Sequence, residues 1–134
     1  MLHHILVVDD DEDVRETICL QLRDTDYTIL EAEDGEKAIA CLNDNPLTVD
    51  AIICDVRMPK INGVEAVAYF RREFSGTPVI VLTGFPDVDL AVEFMRQGVV
   101  DYLVKPVEKE KLIETVEKAA AQRTLFGGSD IQAV

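Results

Sequence analysis

Short apolar runs alternate with amphipathic segments along the chain. The runs have the length and the β-branched content of buried strands, and they are Ile5 to Val8, Thr28 to Leu30, Ala51 to Cys54, Val79 to Leu82 and Tyr102 to Val104. The segments after each run carry apolar residues at helical spacing, and they are Val14 to Leu22, Gly35 to Leu42, Val64 to Phe74, Val88 to Met95 and Leu112 to Ala120. Five strand-helix units predict an α/β fold, a doubly wound parallel sheet with helices on both faces.

Residues that cap helices or form turns lie between these segments. Asp34 precedes the second helical segment as an N-cap, and Gly98 follows the fourth as a C-cap. Because no internal linker interrupts the pattern, residues 1–123 are predicted to form one domain. The composition changes only at the Gly-Gly-Ser-Asp stretch 127–130, so residues 124–134 are predicted to be a flexible C-terminal tail or the start of a linker.

The charge of the chain narrows the range of functions. It carries 13 basic and 26 acidic side chains, and the formal charge of −13 disfavours direct binding to nucleic acid or to an anionic membrane. The sequence has neither a long uncharged apolar run nor a signal-peptide pattern, which predicts a cytoplasmic protein.

Cysteine and histidine indicate neither a disulfide framework nor a metal site. Cys19, Cys41 and Cys54 are odd in number and widely spaced, so they are predicted to be reduced thiols of the core. His3 and His4 are adjacent and cannot share one helix face as metal ligands do. We expect them to belong to an unstructured N-terminus.

Polar side chains follow four of the predicted strands. Asp9 and Asp10 come after the first strand, Asp55 after the third, Thr83 after the fourth and Lys105 after the fifth. Because the carboxyl ends of parallel strands share one ligand-binding edge, these side chains should lie together. Clustered carboxylates repel one another unless a cation lies between them, and Mg²⁺ prefers such oxygen ligands. With Lys105 and Thr83 available to bind the oxygens of an anion on Asp55, the residues predict phosphoryl transfer to that carboxylate.

The acidic run 9–13 also has a simpler interpretation. Acidic side chains commonly satisfy the free N-H groups at a helix N-terminus, and we assign Asp11 and Asp13 to that role. A calcium-binding EF-hand loop is excluded, because Val14 stands where its turn needs Gly and Leu20 where it needs a bidentate Glu. Tyr102, taken by its residue type alone, would be a core residue.

The chain resembles the receiver domain of bacterial two-component response regulators. The matching stretches are ILVVDDD at 5–11, AIICDVRMPKINGVE at 51–65, VIVLTG at 79–84 and DYLVKP at 101–106. The resemblance covers Ile5 to about Ala120 and implies a flavodoxin-like fold, as in the chemotaxis receivers, with strand order 2-1-3-4-5. In that order the first strand lies beside the third, so that Asp10 and Asp55 face each other.

The resemblance also assigns chemical roles. Asp55 corresponds to the phosphoacceptor, which takes a phosphoryl group from a histidine of a sensor kinase or phosphotransfer protein. Lys105 corresponds to the lysine that pairs with the phosphoryl oxygens, and Thr83 to the hydroxyl that turns toward them. The bond between Lys105 and Pro106 is usually cis in this family.

A Mg²⁺ cofactor follows from the same resemblance. Asp10 and Asp55 correspond to direct ligands, and the backbone carbonyl of Arg57 to the third protein ligand. Asp9 corresponds to an acidic neighbour that contacts the ion through a water molecule.

Tyr102 corresponds to the aromatic switch residue of the family. Movement of Thr83 toward the phosphoryl group would let Tyr102 move inward and reshape the surface of segment 88–95, the fifth strand and segment 112–120. That surface would control an output domain or a partner protein. A symmetric homodimer through it is compatible with its mixed charges but is not required by them. Such a domain is a signalling module, not an enzyme with an external substrate, and it catalyses only its own phosphorylation and dephosphorylation.

A small phosphatase of the haloacid dehalogenase type is the alternative. In that class the Asp after the first strand is the nucleophile and the Asp two residues later is the general acid, a spacing that Asp9 and Asp11 fit. Against this stand Asp13, where the class usually has Thr or Val, and the shortness of the chain.

Overall fold

The computed structural model of this protein describes residues 3–45, 47–56 and 63–123. They form one parallel sheet of five strands in the order β2-β1-β3-β4-β5, which confirms the doubly wound α/β prediction. The strands are β1 (His4–Val8), β2 (Thr28–Ala32), β3 (Val49–Asp55), β4 (Val79–Thr83) and β5 (Asp101–Val104). The helices are α1 (Glu12–Gln21), α2 (Gly35–Asp44), α3 (Gly63–Glu73), α4 (Val88–Arg96) and α5 (Lys109–Gln122).

The sheet separates two apolar cores. Alternate strand residues point to opposite faces, so Leu6 and Val8 pack on one side while Ile5 and Val7 pack on the other. The first core contains residues of α2, α3 and α4, and the second contains residues of α1 and α5. Burial on both faces explains why the central strands are continuous apolar runs.

The helix ends follow the cap residues of the sequence. Asp34 caps α2 by accepting a hydrogen bond from the Lys37 backbone N-H at 2.9 Å. Asp11 caps α1 in the same way through the N-H of Asp13, as its assignment to the helix N-terminus predicted. Gly98 lies just beyond α4 with φ at +90°, a conformation that L side chains rarely adopt.

The prediction of an unstructured N-terminus is wrong for His3 and His4. His4 begins β1 and its N-H bonds the Thr48 carbonyl at 3.0 Å. His3 Nδ1 lies 2.5 Å from a carboxylate oxygen of Asp50. The reason is a partner far along the chain, which the adjacent pair of histidines does not reveal.

The cysteine prediction holds for one thiol of three. Cys54 is buried, whereas Cys19 and Cys41 are only partly buried, and all three are free. Cys54 lies on the central strand β3, covered on both sides. Cys19 and Cys41 lie on α1 and α2, helices with one solvent-facing side, which explains their partial exposure.

In the described part of the chain, no helix has the length and apolar content that a membrane crossing demands. The last helix ends at Gln122, and the predicted tail or linker at 124–134 lies outside the described residues.

Candidate functional site

Strand register brings the polar residues to one edge of the sheet. Val8 of β1 pairs with Cys54 of β3, so the next residues, Asp9 and Asp55, are neighbours. Asp55 pairs with Leu82 of β4, which places Thr83 one residue beyond it. The backbone N-H of Lys105 bonds the Thr83 carbonyl at 2.8 Å, which brings Lys105 to the same edge.

The carboxylates of Asp9, Asp10 and Asp55 converge. Each offers an oxygen, and these oxygens all lie within 4.8 Å of one another. Asp9 and Asp55 are buried, at 1% and 6% exposure, whereas Asp10 is exposed. Three negative charges this close, in a poorly hydrated place, favour a hard cation with oxygen ligands, so the donor set fits Mg²⁺. Arg57, whose carbonyl was the predicted third ligand, lies outside the described residues.

Lys105 contacts two of these carboxylates. Its Nζ donates to Asp9 Oδ2 at 2.8 Å and lies 3.6 Å from Asp55 Oδ1. Burial by itself lowers the pKa of Lys105, but the hydrogen bond and charge of Asp9, followed by those of Asp55, outweigh it and raise the pKa. The lysine is therefore a cation at neutral pH. The bond from Lys105 to Pro106 is cis, as the resemblance implied.

Asp9 is also fixed from the other side. Its Oδ1 accepts the Asp11 backbone N-H at 2.9 Å. Its carbonyl accepts from Arg15 Nη1 at 2.7 Å, while Arg15 Nε donates to Glu31 at 3.0 Å. The sequence interpretation did not include Arg15 or Glu31. The available signal was that Arg15 is the first basic residue after the five acidic residues 9–13.

The buried thiol beside the site is not a competing nucleophile. Cys54 immediately precedes Asp55 and is fully buried. Burial, and then the charges of Asp55 and Asp9, raises the pKa of the Cys54 thiol well above its usual range. The thiol stays protonated, and a protonated thiol is a weak nucleophile.

Two hydroxyl groups hold the segment between β4 and α4. Thr83 is fully buried, and its Oγ1 accepts the Phe85 backbone N-H at 3.0 Å. The Tyr102 hydroxyl accepts the Asp87 N-H at 3.1 Å, and its ring stacks on Phe94 at 6.2 Å. Asp87 is the N-cap of α4, so the two predicted switch residues bond the same short connection.

This connection leads to an apolar surface. Large exposed apolar side chains lie on this connection, on α4 and at the end of β5. They are Phe85, Val88, Val92, Met95 and Val104. Val88 is 79% exposed and Phe85 61%. The predicted output surface thus carries several apolar side chains in contact with solvent.

Gly63 brings the start of α3 against the end of β3. Its N-H bonds the Val56 carbonyl at 3.1 Å, and a Cβ at this position would lie 2.1 Å from the Val56 Cα. A side chain cannot fit without moving the backbone that directly follows Asp55. The sequence interpretation did not identify this glycine, although a glycine at the first residue of a helix is a signal for close backbone approach.

Comparison with known proteins gives one consistent result. The family model for the response regulator receiver domain matches residues 5–117. The transcriptional regulatory protein ZraR of Salmonella typhimurium is 35% identical over 117 residues, which are 87% of this chain and 26% of that protein. The transcriptional regulatory protein FixJ of Bradyrhizobium diazoefficiens is 34% identical over 119 residues, which are 89% of this chain and 57% of that protein. This chain therefore matches only part of the length of these relatives.

The structural comparison agrees. A response regulator receiver domain protein from Clostridium thermocellum has a TM-score of 0.84 and 29% identity, covering 90% of this chain and 96% of that one. These matches give the phosphatase alternative no support. Asp11, the general acid it requires, instead caps α1.

Proposed function

Because this chain belongs to the response regulator receiver domain family, we propose that it accepts a phosphoryl group on Asp55 from a sensor histidine kinase or a phosphotransfer protein. The observation that carries this proposal is the convergence of Asp55 with Asp9, Asp10 and Lys105 at one sheet edge. Asp55 has neighbouring carboxylates to hold a cation and an ammonium to pair with an anion. Asp9 shares these neighbours, so peptide mapping of the labelled protein must distinguish the two carboxylates.

The transfer itself is a single displacement. A carboxylate oxygen of Asp55 forms a bond to phosphorus, and the bond from phosphorus to the donor histidine nitrogen breaks. The electron pair leaves with the imidazole, which takes up a proton. Lys105 turns from Asp9 toward a phosphoryl oxygen, where its charge offsets the negative charge brought by the group.

Asp10, Asp55 and the Arg57 carbonyl are the proposed direct ligands of Mg²⁺, and Asp9 is a neighbour through water. The bound ion would neutralise charge on the carboxylates and on the phosphoryl oxygens. The contacts of Asp9 support its outer role, because both of its carboxylate oxygens already accept hydrogen bonds, from Asp11 N-H and Lys105.

The proposed output is a change at the α4-β5-α5 surface. Rotation of the Thr83 side chain toward a phosphoryl oxygen would move its hydroxyl away from the Phe85 N-H, whose hydrogen bond it now accepts. Inward movement of Tyr102 would likewise release the Asp87 N-H. Both movements free the connection to α4, so two states of this connection, shifted by phosphorylation, would present different surfaces. The surface then binds an output domain, a partner protein or a second copy of the chain.

The same proposal includes the extent of the domain and its location in the cell. Residues 1–123 act as one receiver domain in the cytoplasm, and 124–134 act as a tail or linker. With a charge of −13, any contact with DNA belongs to an output partner.

Phosphoryl labelling tests the proposal. The protein is incubated with acetyl phosphate and Mg²⁺, and the product is mapped by mass spectrometry of its peptides. We expect one acid-stable, base-labile acyl phosphate on Asp55, lost with EDTA and in Asp55→Asn. Asp11→Asn is the matched control, because Asn caps a helix as well as Asp does. Phosphate mapped to Asp9 or Asp10, or loss in the control, would contradict the assignment.

Binding of Mg²⁺ is tested separately by thermal unfolding. A ligand that binds the folded state raises the melting temperature, and relief of carboxylate repulsion gives this binding its driving force. Asp10→Asn should remove most of the rise seen on adding Mg²⁺, and Asp11→Asn should keep it. An unchanged rise in Asp10→Asn would remove Asp10 from the ligand set.

A further inference from the structure

Arg15 connects the acidic loop to the neighbouring strand. Its side chain is 14% exposed, and its guanidinium makes two directed bonds. Nη1 donates to the Asp9 carbonyl at 2.7 Å, and Nε donates to Glu31 Oε1 at 3.0 Å. Glu31 lies on β2, paired in register with Val7 of β1. The guanidinium thus fixes the loop after β1 relative to the strand beside it.

The bond to Asp9 acts on Asp10. The carbonyl of Asp9 and the N and Cα of Asp10 lie in one rigid peptide plane. A bond that fixes the direction of this carbonyl therefore fixes where the Cα of Asp10 lies and where its side chain starts. The carboxylate of Asp10 is exposed, in contrast to the buried Asp9 and Asp55, so less packing is available to place it.

We propose that Arg15 is a positioning residue for the Mg²⁺ site, which it serves by orienting the peptide between Asp9 and Asp10. The role rests on the proposed function, because it concerns the same carboxylates. Arg15 contacts neither the ion nor the phosphoryl group in this scheme. It acts through the Asp9 carbonyl, and Glu31 holds the guanidinium in place.

An electrostatic role and a positioning role of Arg15 predict opposite changes in Mg²⁺ affinity when Arg15 is replaced. A guanidinium bonded to the backbone of the acidic loop repels a divalent cation bound there, so loss of its charge alone should strengthen Mg²⁺ binding. Loss of an outer contact that orients a metal ligand typically weakens metal binding by about 10-fold to 100-fold. The sign of the change therefore separates positioning from simple electrostatics.

The experiment measures Mg²⁺ affinity by calorimetric titration in Arg15→Met and Arg15→Lys. Met keeps the apolar stem without charge or donors, and Lys keeps the charge without the planar fork that reaches both partners. We expect binding about tenfold weaker in Arg15→Met, and a smaller loss in Arg15→Lys. Arg23→Met is the matched control, because Arg23 is an exposed arginine after α1 and should leave the affinity unchanged.

Melting temperature without Mg²⁺ is measured for every variant. If Arg15→Met does not fold, the same comparison is made with Arg15→Lys, where weaker binding by at least threefold supports the role. Unchanged or tighter Mg²⁺ binding in the folded variants would overturn it, even if both lose stability. Such a result, with wild type labelled on Asp55, would leave the proposed function intact. Wild type that binds no Mg²⁺ would overturn the proposed function and this role together.

Discussion

At the scale of single residues, Asp9 and Lys105 determine the state of the site before phosphorylation. The Lys105 ammonium neutralises part of the carboxylate charge that a metal ion would otherwise neutralise. Its Nζ lies 2.8 Å from Asp9 and 3.6 Å from Asp55. Because its pKa is raised in the folded state, the stability from this ion pair is fully present below the ordinary lysine value of 10.5 and is lost as the pH rises through the raised value. The pair is therefore intact throughout the neutral range.

Replacement of Lys105 by Met should strengthen Mg²⁺ binding several-fold. The substitution removes a competing cation and leaves the carboxylates less compensated, so the ion gains more by binding. The rate of labelling by acetyl phosphate should fall at the same time, because the phosphoryl oxygens lose their cationic partner. Titration with Mg²⁺ and labelling rates at saturating Mg²⁺ measure the two effects. Lys109→Met, on an exposed part of α5, is the control. Weaker Mg²⁺ binding in Lys105→Met would contradict competition between the two cations.

Gly63 is a position at which an added methyl group should destabilise the fold. A Cβ there would lie 2.1 Å from the Val56 Cα, whereas a Cβ at Gly84 would lie 3.9 Å from its nearest neighbour, the Lys105 Cδ. We expect Gly63→Ala to lower the free energy of unfolding by about 1–3 kcal/mol, the usual effect of overpacking. Gly84→Ala should change it by less. Chemical denaturation measures both values. Equal effects of the two substitutions would show that the backbone at Val56 moves aside without cost.

At the scale of elements, the periodic pattern predicted every strand and helix, and the missed start of β3 has an identifiable cause. The prediction began β3 at Ala51, but the strand begins at Val49 and includes Asp50. A charged residue ordinarily marks a strand end. Asp50 stays in the strand because His3 and Arg123, 47 and 73 positions away, pair with it. Local patterns do not contain such distant partners.

The switch positions were predicted by the family resemblance alone, and the resemblance did not predict their bonds. The resemblance marked Thr83 and Tyr102, whereas the bonds to Phe85 and Asp87 depend on how the connection between β4 and α4 folds back. The consequence is specific. Tyr102 contributes to α4 through its hydroxyl at the N-cap residue Asp87 and through its ring on Phe94.

Tyr102→Phe should separate these two contributions. The ring keeps its stacking on Phe94, but the Asp87 N-H loses its acceptor, so the start of α4 should open more easily by about 0.5–1.5 kcal/mol. Hydrogen exchange of the backbone amides checks this, with faster exchange expected at Asp87 and little change in β1 to β3. Tyr69→Phe on α3 is the matched control. An unchanged exchange rate at Asp87 would mean that the hydroxyl does not hold the connection.

At the scale of the whole molecule, the two edges of the sheet carry different charge clusters. The proposed phosphoryl site lies at the carboxyl edge, and the Asp50 cluster lies at the amino edge, where Arg123 follows α5. Asp50 is 4% exposed, with Arg123 Nη1 at 3.2 Å and His3 Nδ1 at 2.5 Å. Arg123 also donates to the Leu47 carbonyl. The cluster links His3, just before β1, to Asp50 near the start of β3 and to Arg123 after α5.

Loss of the Asp50 charge should therefore affect stability without affecting the chemistry. Loss of the Asp50 charge leaves the Arg123 guanidinium, whose side chain is 13% exposed, uncompensated, and Asp50→Asn should lower the free energy of unfolding by about 3 kcal/mol. Five residue steps along the strand separate Asp50 from Asp55, roughly 16 Å at the usual rise, which exceeds the distance of about 7–10 Å beyond which sites without shared partners usually act independently. Mg²⁺ affinity and labelling of Asp55 should match wild type. Denaturation, Mg²⁺ titration and labelling are measured on Asp50→Asn, on Asp10→Asn and on the double variant. The changes in the free energy of unfolding of the two single variants should add in the double variant to within about 0.5 kcal/mol. A change of Mg²⁺ affinity in Asp50→Asn, or clear non-additivity, would show that the two edges are coupled through β3.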